Sequence, residues 1–258
     1  MRHTTRIAAP LFAAALYGAP TLAACPASMP DTAFRGCIAN ELTGLASAVV
    51  DTRETLALQE TTIADLEATV ASQAAYIEAL ESYLSVDTAT HDVVFSGANV
   101  HIQSGSGATN GTVNGLGNLV LGYNESEGGE DRSGSHNLVL GYWNGYSDYS
   151  GIVGGFRNDS IAPMASVIGG SQNIASGNTA VVISGFQNTA YGLRAAIVAG
   201  WDNTAPGDHA AVVSGYQNNA GGNRSAVLAG EANSAEGEYS AVTGGNGNTA
   251  AADHEVAP

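Results

Sequence analysis

Two periods organise the apolar positions of this chain, one of seven residues and one of 15. With Leu42 as heptad position a, the following a positions are Val49, Leu56, Ile63, Val70, Ile77 and Leu84, all apolar. The d positions, Leu45, Thr52, Gln59, Leu66, Gln73 and Leu80, are half polar. The apolar stripe of a single straight helix drifts against a strict period of seven, so residues 41–86 predict a coiled-coil stalk rather than a helix folded back on its own domain. Mixed Leu and β-branched residues at a, with glutamines at d, suit a three-stranded core built from other copies of the chain.

Further along, the period is 15 and is carried by four residue types at once. Val167, Val182, Ile197, Val212, Val227 and Val242 form a branched aliphatic column, and Ala175, Ala190, Ala205, Ala220, Ala235 and Ala250 an alanine column. Gly155, Gly170, Gly185, Gly200, Gly215, Gly230 and Gly245 are each followed three residues later by an asparagine: Asn158, Asn173, Asn188, Asn203, Asn218, Asn233 and Asn248. Such self-similarity is the signature of a solenoid. One unit is too short for a helical pair but holds two short strands and two corners, where glycine supplies positive φ. With coils stacked at about 4.8 Å, the asparagines can bond to one another as a structural ladder. The expected fold is therefore mainly β, a parallel β-roll or β-solenoid of 15-residue repeats after an N-terminal α-helical coiled coil, the whole trimeric.

These patterns divide the chain. Residues 1–24 read as an export signal: Arg2, His3 and Arg6, then an apolar stretch over 7–16 and a small-residue exit. Residues 25–40 form a cysteine-containing segment and 41–86 the stalk. Residues 87–117 form a β-rich connector, with strands expected at 93–95 and 99–102 around the turn-prone Ser96-Gly97-Ala98. Residues 118–252 form the repeat head, opening on the irregular units 118–123 and 137–142 with an acidic insertion at 125–131, and 253–258 read as an acidic tail. An export signal places the mature chain in the secreted space or at the cell surface. There Cys25 and Cys37 can form a disulfide, within the chain or between chains. Alternatively, Leu22-Ala23-Ala24-Cys25 reads as a lipobox in which Cys25 carries lipid.

Charge narrows the partners. Against 24 acidic residues stand eight basic ones, all arginine, for a formal net charge of −16. Such a surface repels phosphate backbones and anionic headgroups, which argues against nucleic acid and leaves membrane contact only to an N-terminal lipid. His3, His91, His101, His136, His209 and His254 are scattered without metal-ligand spacing, and neither a nucleophile elbow nor a Walker lysine is present. No enzyme, metal or cofactor is expected. Tyr142, Trp143, Tyr146 and Tyr149 cluster within eight residues, with Trp201 further on, and exposed rings of this kind can stack on sugars. Packing within the solenoid or between subunits is the other reading of the same residues.

The units Asn173-Ile-Ala175-Ser-Gly177, Asn188-Thr-Ala190-Tyr-Gly192, Asn203-Thr-Ala205-Pro-Gly207 and Asn233-Ser-Ala235-Glu-Gly237, each after a Val-rich strand ending in glycine, resemble the head repeats of YadA-like trimeric autotransporter adhesins. The resemblance spans roughly residues 118–252 and implies a left-handed parallel β-roll, associated as a trimer. It departs from that family in its period, in the coiled coil preceding the head, and in having no C-terminal membrane barrel in this sequence. The expectation is a non-enzymatic adhesive fibre, a homotrimer whose surface, matrix or glycan ligand is unknown. The alternative is an ice- or crystal-surface-binding β-solenoid. Against that alternative, the column after the asparagines runs Ile174, Thr189, Thr204, Asn219, Ser234, Thr249, which is irregular for a lattice match.

Overall fold

The computed structural model describes residues 25, 26 and 28–258; the expected export signal lies outside them. The chain divides into two compact units between Asn99 and Val100.

In the first unit, helix α1 runs from Asp31–Glu81, 51 residues, and begins ten positions earlier than the apolar period suggested. Pro30 stands at the N-cap with φ −55° and ψ 144°, a residue that cannot extend the helix backwards. Asp31 follows in the first turn, where a carboxylate suits the helix dipole, and pairs with Arg35 at 3.2 Å. A disulfide joins Cys25 to Cys37 across a Cα separation of 5.9 Å and ties the preceding segment to the second turn. It occupies the Cys25 sulfur that a lipid thioether would need. Gly36 and Gly44 are absorbed into the helix. At the other end the helix stops before Leu84, so the seventh a position is not helical. It starts strand β1 (Leu84–Asp87), antiparallel to β2 (Asp92–Phe95) with Leu84 opposite Phe95. The strand expected at 93–95 forms within this hairpin, and 99–102 carries no strand. The Asp87 carboxylate accepts the Ala89 and Thr90 amides in the tight turn, and these bonds hold its pKa below the usual value.

The second unit is a parallel β-solenoid of about nine turns. Its strands form a ten-stranded and an eight-stranded sheet. The irregular opening units seat without a break: Leu119 in β3 (Leu119–Leu121) pairs with Leu138 in β4 (Leu138–Tyr142), which pairs with Ile152. Val153 still pairs with Val167, 14 positions on, and from Phe156 each paired residue lies beside the one 15 positions on, as Val182 beside Ile197 and Ala190 beside Ala205. The expected tail belongs to the roll, because Val256–Ala257 pairs with Ala241–Val242.

The core is one valine and one alanine thick. Val167, Val182, Ile197, Val212, Val227 and Val242 are wholly buried together with Ala175 through Ala250 of the alanine column. Beside them runs the asparagine ladder. Asn203 Nδ2 donates to Asn188 Oδ1 at 2.9 Å and to the Gly215 carbonyl at 3.0 Å, while its own Oδ1 accepts from Asn218. The corner glycines have φ between 83° and 110°, and a Cβ on Gly200 would overlap the Gly215 carbonyl oxygen and Asn203 Nδ2. Two further corner columns are left-handed without being glycine: Gln172, Gln187, Asp202 and Gln217, and Thr179, Arg194, His209, Arg224, Tyr239 and His254. Their amides donate back to the preceding coil, as Asp202 N–H to Phe186 O and His209 N–H to Leu193 O, and these bonds hold the strained conformation.

Candidate surface-binding face

Successive residues of a strand point to opposite sides, so the buried valine column forces its two neighbours outward. The residue before it gives Ser166, Val181, Ala196, Ala211, Ala226 and Ala241; the residue after it gives Ile168, Ile183, Val198, Val213, Leu228 and Thr243. Ile168, Ile183, Val198, Val213 and Leu228 are exposed to 49, 43, 41, 46 and 45%, five coils presenting nearly the same area. The strand ladder continues through them, Ile183 N–H donating to Ile197 O and Val198 N–H to Val212 O. At about 4.8 Å per coil the column from Ile168 to Thr243 is roughly 24 Å long, with its companion about 6.7 Å away across the strand. The twelve side chains include no charge and no aromatic ring.

The opposite sheet differs. Ile174, Thr189, Thr204, Asn219, Ser234 and Thr249 alternate on its outside with Ser176, Tyr191, Pro206, Gly221, Glu236 and Ala251. Besides Glu236 and Asp159 on this sheet, charged residues stand at the corners, as Arg194 against His209 at 3.1 Å and the Arg224–Glu238 pair at 2.9 Å. The molecule thus keeps one sheet face small, aliphatic and uncharged while the rest carries the polarity. The regular array was missed in the sequence because only one apolar column was assigned a role. Two apolar columns at adjacent positions, Val182-Ile183 or Val212-Val213, cannot both face inward, and that was the available signal.

The aromatic candidates do not form one site. Tyr142, Trp143 and Phe156 gather with ring centroids 4.8–5.6 Å apart, and the Arg157 guanidinium lies 4.7 Å from the Trp143 ring. Tyr146 is buried between Val139 and Val153, which corrects its reading as an exposed ring. Tyr149 is half-buried in the next turn of chain, where its amide donates to Asp148. Trp201 belongs elsewhere, between Phe186 and Tyr216 at 6.1 and 4.8 Å. Beside the first group the acidic insertion folds on itself, with Glu130 accepting Ser126 Oγ and the Glu127 amide, and Glu127 pairing with Arg157. Hydrogen bonding, first from Ser126, lowers the Glu130 pKa, whereas burial and then the Glu130 charge raise that of Asp159. Among the described residues no group of three or more His, Cys, Asp or Glu is placed to hold a metal ion, and no helix is long and apolar enough to cross a membrane.

No curated protein matches the chain. Residues 161–257 match the family described as the grass antifreeze β-roll. The likeness covers the regular coils that carry the aliphatic face, and it does not support the assignment of these repeats to adhesin heads.

Proposed function

We propose that the chain is a secreted, non-enzymatic protein that adsorbs to ice through the outer face of its ten-stranded sheet. The observation that carries the reading is the unbroken double column of Ser/Val/Ala and Ile/Val/Leu/Thr side chains, held in register by parallel pairing. Water over such a face has restricted orientations and no charged group to solvate, so a regular array of methyls favours an ordered layer. A charged or ragged face would instead hold water in positions dictated by its own polar groups. The family match supports the reading, since the matched family is described as an antifreeze β-roll. The same geometry removes the objection raised by the irregular threonine column, because that column belongs to the other sheet.

The test is thermal hysteresis of the native protein beside two face variants. Val198→Glu with Val213→Glu should abolish most of the hysteresis, with the β circular dichroism and melting temperature little changed because both side chains are exposed. Thr204→Glu, on the opposite sheet, should leave it intact. A native protein without hysteresis or control of ice recrystallisation sinks the reading, and sensitivity confined to Thr204 moves the site to the other sheet.

A further inference from the structure

The first unit leaves its apolar side chains without a partner. None of the 51 residues of α1 is buried, and Leu42, Val49, Leu56, Ile63, Val70 and Ile77 are 44–63% exposed. The adjoining hairpin repeats the situation: Val86, Val93, Val94 and Phe95 are all exposed. Long isolated helices and two-stranded hairpins both depend on packing for their stability in water. We infer that copies of this chain cover these surfaces for one another, as a parallel, in-register coiled coil of α1 continued by the hairpins.

The occupant follows from the period. A strict recurrence of seven selects a supercoiled helical partner of comparable length, and α1 is the only such helix among the described residues. The orientation follows from the flanks. Arg53, Glu60, Glu67 and Glu81 are the charged residues at e positions, while the g positions Thr55, Thr62, Thr69, Tyr76 and Tyr83 are uncharged. In a parallel bundle each e side chain lies against a neighbour's g side chain, so every glutamate meets a neutral residue. An antiparallel pair that overlaps the whole heptad region sets e against e, bringing Glu60 beside Glu67 of the other chain twice and Arg53 only against Ala74, a like-charge cost with no compensating pair. The register follows from Gln59 and Gln73 at d, whose amides find amide partners only where each layer meets its own equivalent. Assembly gives each particle several sheet faces, and the effective concentration of the second face is set by the first. The inference rests on the helix and hairpin alone and stands or falls independently of ice.

Light scattering from the full exported chain should give two or three times its own mass, and Ile63→Glu with Val70→Glu should reduce that to one. Leu80→Cys lies far from the helix midpoint, so mild oxidation should cross-link it to its equivalent only in a parallel, in-register bundle. A single-chain mass for the native protein overturns the inference. So does a multimer in which Leu80→Cys fails to cross-link with itself but joins Leu45→Cys in a mixture of the two variants.

Discussion

At the scale of single residues, the roll shows where its own repeat is imperfect. The position before each outward-facing strand residue is Ala165, Ala180, Ala195 and Ala210, then Ser225 and Ser240, all essentially buried. The serine hydroxyls have no hydrogen-bond partner, although alanine fills the same space in four earlier coils. A buried hydroxyl without a partner costs on the order of 1–3 kcal/mol. Ser225→Ala and Ser240→Ala should therefore each stabilise the fold by about 1 kcal/mol, seen as a higher urea midpoint at unchanged slope. The asparagines are the opposite case. Asn203→Ala deletes the acceptor of two Asn218 donors and the donor to Gly215 inside a dry ladder. It should cost about 3 kcal/mol, since the buried Asn218 N–H loses its acceptor outright, while Asn218 Nδ2 keeps Ser214 O and Gly230 O and the Gly215 carbonyl keeps the Trp201 amide. A loss under about 1 kcal/mol in the same titration would mean that water enters the ladder.

At the scale of elements, what was legible depended on whether a residue type has one physical role. The Val167 to Val242 column, the alanines and the asparagines repeat in a single chemistry, so their spacing alone leads to a parallel roll with a dry interior. The left-handed corners at Gln187, Arg194, Asp202 and His209 were not legible, because the two columns mix residue types, and only some of them, such as Asp202 and His209, favour φ near 57° more than most. Only the coil-to-coil bonds of their amides hold them there. Helix α1 began ahead of its heptads because its start is set by Pro30, by Asp31 in the first turn and by the Cys25–Cys37 tie, none of which is apolar periodicity. The final coil passed for a tail because Glu255 stands where alanine or serine usually does, while Val256 and Ala257 still extend the sheet. The candidate face was half legible: its residues were in plain view, but the sheet to which each column belongs needed the alternation of the strand.

At the scale of the molecule, a face whose side chains recur at even spacing and a core only two side chains thick are consequences of the same repeat. Each coil contacts its neighbours alone, so stability is nearly a sum over coils and their interfaces. Deleting residues 196–210 joins Ala195 to Ala211 and removes one whole unit with every later residue kept in register. The shortened roll should keep its circular dichroism and cooperative melting, and lose about 2 kcal/mol, the burial of one branched side chain. Its thermal hysteresis should fall as well, because the aliphatic array loses one of its rows. Deleting 196–209 instead leaves one residue too many, which must either be looped out at a corner, as the longer opening coil loops out its insertion, or turn the Val212 column out of the core and its neighbours in. That protein should be less stable than the whole-coil deletion, since either route strains a corner or opens the core. If the two deletions behave alike in melting, register is not what holds the roll together. If the whole-coil deletion melts as expected yet retains full hysteresis, adsorption does not depend on the length of this face, and the twelve-residue array is not the surface that meets ice.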